Sequence, residues 1–115
     1  MGDRANVVLT GGGERAGTSD LVFYTHWNGS ELPRTVQAAL ERGRDRWNDP
    51  QYLNRIIFSE MIQEEVMELT GFGIATGSPW ERFIKVDHAR QVVTLEGSEF
   101  TFEEFVALDP TDVSF

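Results

Sequence analysis

The chain contains no cysteine. That excludes a disulfide scaffold, a thiol nucleophile, an iron–sulfur site and a cysteine-ligated zinc. No apolar run approaches the length of a membrane span. The opening residues, Met1-Gly2-Asp3-Arg4-Ala5-Asn6, lack the apolar stretch of a signal peptide, so a cytoplasmic protein is expected. Lysine is nearly absent: nine arginines stand beside the single Lys85. Only two histidines occur, His26 and His88, and neither has a second ligand at metal-binding spacing, so no metal is expected. Positive charge is scarce overall. A net charge of −9 argues against duplex nucleic acid and against anionic membrane surfaces as partners.

What is present suits a small globule. The 115 residues predict one domain, and 40% hydrophobic content is enough to form a core. Residues 1–20 read as an N-terminal extension, flexible or forming a short strand at Asn6–Thr10. Residues 21–115 read as the domain proper. The glycines at 11–13 follow a strand pattern, but no amphipathic helix follows them, so a dinucleotide-binding turn is rejected. Leu21–Thr25 predicts a strand. A helix follows, with Ser30 as its cap and Pro33 in its first turn. Asp49-Pro50 predicts the start of a second helix reaching about Leu69, with Leu53, Ile56, Ile57, Met61 and Val66 as its buried stripe. Short strands are expected at Gly73–Thr76, Arg82–Asp87 and Gln91–Glu96, with His88 exposed in the turn between the last two. Thr101-Phe102-Glu103-Glu104 has the pattern of a capping box, so a short helix should run to Leu108. The expected fold is α+β: two helices on a small antiparallel sheet, with a short C-terminal helix. The open face of such a sheet predicts a homo-oligomer.

Two places combine residues able to hold a ligand. The first is the end of the Leu21–Thr25 strand, where Tyr24, His26, Trp27 and Asn28 meet a loop. The second is the run from Arg42 to Tyr52. There Arg46, Trp47, Tyr52 and, one turn on, Arg55 suit an anionic planar ligand: guanidinium forks grip phosphate and aromatics stack on a base. Trp27 is expected to face the ligand and Trp47 to fill the core. The adjacent pairs Glu64-Glu65 and Glu103-Glu104 point apart on a helix and form no acid–base dyad. No catalytic residue and no cofactor are assigned.

Three segments carry a resemblance: Tyr24–Pro33 (YTHWNGSELP), Arg46–Phe58 (RWNDPQYLNRIIF) and Thr70–Ile74 (TGFGI). Over about residues 22–87 the chain resembles a group of small, uncharacterised phage and prophage proteins. The resemblance falls off at Ala75–Trp80, and no settled activity comes with it. It implies an infected bacterial host as the setting, and a role against host defence. One route is a sponge, an oligomer that binds a nucleotide immune signal such as a cyclic nucleotide or ADP-ribose derivative without cleaving it, as Thoeris anti-defence proteins do. Another is an acidic protein–protein inhibitor resembling anti-CRISPR proteins, acting through Glu60–Glu68 and the acidic C-terminus. A third is a small phosphodiesterase-like enzyme using His26.

Overall fold

A computed structural model describes residues 2–12, 20–79 and 81–115. Six strands form one sheet: β1 (Ala5–Thr10), β2 (Leu21–Thr25), β3 (Phe72–Thr76), β4 (Phe83–Asp87), β5 (Val92–Leu95) and β6 (Ser98–Thr101). Three helices accompany it: α1 (Leu32–Arg42), α2 (Pro50–Ile62) and α3 (Phe102–Ala107). The fold is α+β, and the strand order is β3-β2-β1-β4-β5-β6. All neighbours are antiparallel except β1 and β4, which run parallel.

The strand expected at Asn6–Thr10 is present and begins at Ala5. It lies in the middle of the sheet, bonded to β2 on one side and β4 on the other. It therefore belongs to the fold and is not an appendage to a domain starting at residue 21. Most of the glycine-rich loop expected between β1 and β2 lies outside the described residues.

Alternation along the strands sets the layers. Ala5, Val7 and Leu9 of β1, Phe23 of β2, Ile84 and Val86 of β4, and Val93 and Leu95 of β5 are buried in the core cluster. They meet Leu32, Val36, Ala39 and Leu40 of α1 and Leu53, Ile57 and Met61 of α2. Each fully buried Leu, Ile or Phe stabilises the fold by about 1.5–3 kcal/mol. Phe102 and Phe105 of α3 close the far end of this core. Thr101 and Glu104 exchange both hydrogen bonds of the expected capping box.

Three local expectations need correction. The second helix stops at Ile62, not near Leu69, and Gln63 takes a positive φ of 44°. After Met61 no side chain of this segment is buried, and Val66 is exposed, so nothing rewards further helix. The hairpin from β5 does not end at Glu96. Glu96 and Gly97 both have positive φ, a two-residue turn of the type that matches strand twist, and β6 returns from it. Ser30 is not a helix cap: it sits in a 3-10 turn, Gly29–Glu31, ahead of α1.

Candidate functional site

The end of β2 is held by the residues before β1. Asp3 N–H donates to the His26 carbonyl at 2.7 Å, and Gly29 N–H donates to the Asp3 carbonyl at 2.7 Å. The Asp3 carboxylate accepts from Ser30 N–H at 2.9 Å and pairs with Arg82. The Ser30 bonds, then Arg82, hold the Asp3 carboxyl below its usual range. The capping group that sequence assigned to Ser30 thus comes from Asp3. A Cβ on Gly29 would lie 2.5 Å from the Asp3 carbonyl oxygen, so only glycine fits this crossing.

On this scaffold the Tyr24 hydroxyl lies 2.6 Å from His26 Nδ1. The His26 ring stands edge-on to Trp27, centroids 4.4 Å apart. Trp27 is 58% exposed and Asn28 is exposed beside it. Next to Asn28, a cleft of about 620 Å³ opens between the start of α1 and the end of α2. Its rim carries Glu31, Glu60, Glu64 and Glu65. That sign of charge repels phosphate and favours a cation.

The second set lies at the other end of the helices. Arg46 and Trp47 follow α1, whereas Asn28 precedes it, and 11 residues of helix span about 16 Å. The structure brings Tyr24, His26, Trp27 and Asn28 together, and Arg46, Tyr52 and Arg55 together. It does not bring one set to the other within a single chain. Trp47 belongs to the packing: its Nε1–H donates to the Leu40 carbonyl at 2.9 Å, and its ring meets Phe102 edge-on at 5.4 Å. Tyr52 is 59% exposed, at the start of α2, where Asp49 accepts from its N–H. The Arg46 guanidinium sits 4.9 Å from the Tyr52 ring centroid. Arg55 is exposed three residues further along, on the same side of the helix.

Ion pairing separates these two arginines from the others among the described residues. Arg4 pairs with Glu81, Arg34 with Glu31, Arg42 with Glu60, Arg44 with Glu41 and Glu103, Arg82 with Asp3, and Arg90 with Glu99. Among the described residues, Arg46 and Arg55 have no carboxylate partner. In a chain of net charge −9, one exposed tyrosine thus has Arg46 at its ring and Arg55 one helical turn on, neither with a carboxylate partner among the described residues.

His88, expected to be exposed, is buried. Its Nε2 lies 2.7 Å from Asn54 Oδ1, which can only accept, so Nε2 carries the proton. Nδ1 is buried with no partner among the described residues. Burial pushes the His88 pKa down, against the opposing pull of Asp87. The signal was in the alternation: Ile84 and Val86 face the core, and the next inward position is 88. Among the described residues, no group of three or more His, Asp or Glu side chains is placed to hold a metal ion. None of their helices is long and apolar enough to cross a membrane. No protein-family model, curated protein or solved structure matches the chain.

Proposed function

We propose that this chain is a phage-encoded, non-enzymatic binding protein that sequesters a nucleotide-type immune signal. Arg46, Tyr52 and Arg55 are its contact residues. The observation that supports this reading is an exposed aromatic ring with the Arg46 guanidinium 4.9 Å from its centroid and Arg55 one helical turn away, neither arginine having a carboxylate partner among the described residues. Guanidiniums bind phosphate with two parallel hydrogen bonds, and an exposed ring offers a base a stacking surface. The unpaired arginines keep their donors available for a ligand, whereas those already bound to carboxylates do not. The Tyr24–Asn28 set joins the same ligand only across a subunit boundary, because it lies at the opposite end of α1.

The test is depletion and recovery. The protein is incubated with a cyclic dinucleotide or ADP-ribose, free ligand is measured after ultrafiltration, and the protein is then heat-denatured. Sequestration lowers free ligand and returns it intact. Arg46→Ala, Arg55→Ala and Tyr52→Ala should each weaken binding about tenfold or more, the scale of one charge-assisted bond or one stacked base. A converted product would support the phosphodiesterase-like reading through His26 and sink sequestration. A second reading, an acidic inhibitor of a host protein complex, is favoured by the glutamate-rimmed cleft. It becomes the better account if no nucleotide is depleted.

A further inference from the structure

The two edges of the sheet are not alike. At one edge, β6 carries Glu99, which Arg90 grips with both guanidinium nitrogens at 3.1 and 3.2 Å. Phe100 of the same strand is half-buried against Phe105 of α3. That edge has a charged residue and a helix beside it, two of the usual guards against pairing with another chain. The other edge, β3, reads Phe72-Gly73-Ile74-Ala75-Thr76. It has no charge and no proline, and Ile74 at its centre is 60% exposed.

The hydrogen bonds to β2 show which backbone groups are free. His26 N–H donates to the Gly71 carbonyl, and Gly77 N–H donates to the Asp20 carbonyl. With the register Tyr24↔Gly73 and Val22↔Ala75, the bonded rungs fall on Gly71, Gly73, Ala75 and Gly77. In an antiparallel pair, alternate residues turn their N–H and C=O away from the partner strand. Phe72, Ile74 and Thr76 therefore present theirs along the outer edge, where no strand of the described residues pairs with them.

Exposed apolar side chains also occur in the segment before this strand, interleaved with the exposed Glu68. They are Val66, Met67 and Leu69, and Leu69 is 98% exposed. A Cβ on Gly71 would stand 3.4 Å from the Trp27 ring, so that exposed indole lies against the same segment.

We propose that β3 is a dimerisation edge and that its occupant is β3 of a second copy, paired antiparallel about Ile74. The rungs join Ile74 to Ile74 of the second copy, and Phe72 to its Thr76 in both directions. The two-fold axis passes between the isoleucines, and the result is one continuous twelve-stranded sheet. Charge selects this meeting place. Two copies of net charge −9 repel where acidic surfaces face each other, and β3 with its flanking Gly71 and Gly77 is uncharged. The proposal is independent of the nucleotide reading, which rests on Arg46, Tyr52 and Arg55.

Sedimentation and light scattering of the full chain across the micromolar range provide the test. The wild type should show twice the chain mass of 13.0 kDa. Ile74→Lys sets two ammonium groups face to face at the axis and should raise the dimer dissociation constant about thirtyfold or more, the scale of one hot-spot residue. Circular dichroism checks that the variant is folded. If it is not, Thr76→Lys, at the end of the strand, carries the same test. Glu99→Gln on the opposite edge should leave the mass unchanged. A monomeric wild type overturns the proposal, as does a dimer that the folded lysine variant leaves intact, or one that Glu99→Gln dissociates.

Discussion

Acidification should weaken this fold through one side chain, His88. The buried ring holds its proton on Nε2 against Asn54, and its Nδ1 has no partner among the described residues. Protonating Nδ1 places a charge where neither water nor a described hydrogen-bond acceptor reaches it. The folded pKa is accordingly lowered by burial, with Asp87 opposing. A histidine with a lowered folded pKa binds its proton more tightly when unfolded. Stability is therefore at its full value above the unfolded pKa of about 6.5, and it falls as pH drops below that value. One proton limits the slope to about 1.4 kcal/mol per pH unit. Between pH 7.5 and 5.5 the loss is thus at most about 1.4 kcal/mol, or roughly 5 °C in Tm for a chain of this size. The assay is thermal unfolding at several pH values for the wild type and His88→Gln. His26 is present in both proteins and cancels in the difference. Asp3, Glu99 and Asp109 also have lowered pKa values, but their contributions are lost only below about pH 4.5, outside this window. Equal pH dependence in the two proteins would refute the argument.

Two further substitutions probe the framework of the candidate sites. Trp47→Ala should cost about 3 kcal/mol in urea unfolding, because the indole packs on Phe102 and donates to the Leu40 carbonyl. Nucleotide depletion by that variant should be normal while it remains folded; a stable variant that no longer binds would make Trp47 a contact residue. Gly29→Ala should destabilise by about 2 kcal/mol or more, since its Cβ would meet the Asp3 carbonyl oxygen at 2.5 Å, and a Tm within a degree of wild type would contradict that crossing.

Local rules recovered much of this fold because most elements announce themselves within a few residues. Asp49-Pro50 and Thr101–Glu104 set helix starts through bonds made inside one turn. Alternation over Phe83–Asp87 marked a strand whose inward residues are the buried ones. The misreadings cluster where a residue's partner is distant in sequence. Ser30 has the chemistry of a cap, but Asp3 supplies the carboxylate from 27 positions away. Ala5–Thr10 reads as peripheral because it begins the chain, yet its second neighbour, β4, starts more than seventy residues later. His88 reads as a turn residue, and its partner Asn54 lies on a helix 34 positions earlier.

The candidate site follows the same division. Residue type alone selected Arg46, Trp47, Tyr52 and Arg55, since arginine and aromatics in one stretch suit an anionic planar ligand. Sequence could not say which arginines were already engaged. That depends on where Glu41, Glu60, Glu81, Glu99 and Glu103 fall in space, and they neutralise four of the arginines from other positions along the chain. Arg46 and Arg55 differ from those arginines in pairing, not in composition. Likewise, Trp47 and Tyr52 stand five residues apart, yet one packs against α3 and the other faces solvent. The helix start at Pro50 separates them: Trp47 precedes it in the loop that turns back over α1, and Tyr52 occupies the outer side of the first turn. Replacing Tyr52 should therefore change ligand binding with little loss of stability, and replacing Trp47 should do the reverse. That contrast holds whichever nucleotide the arginines receive.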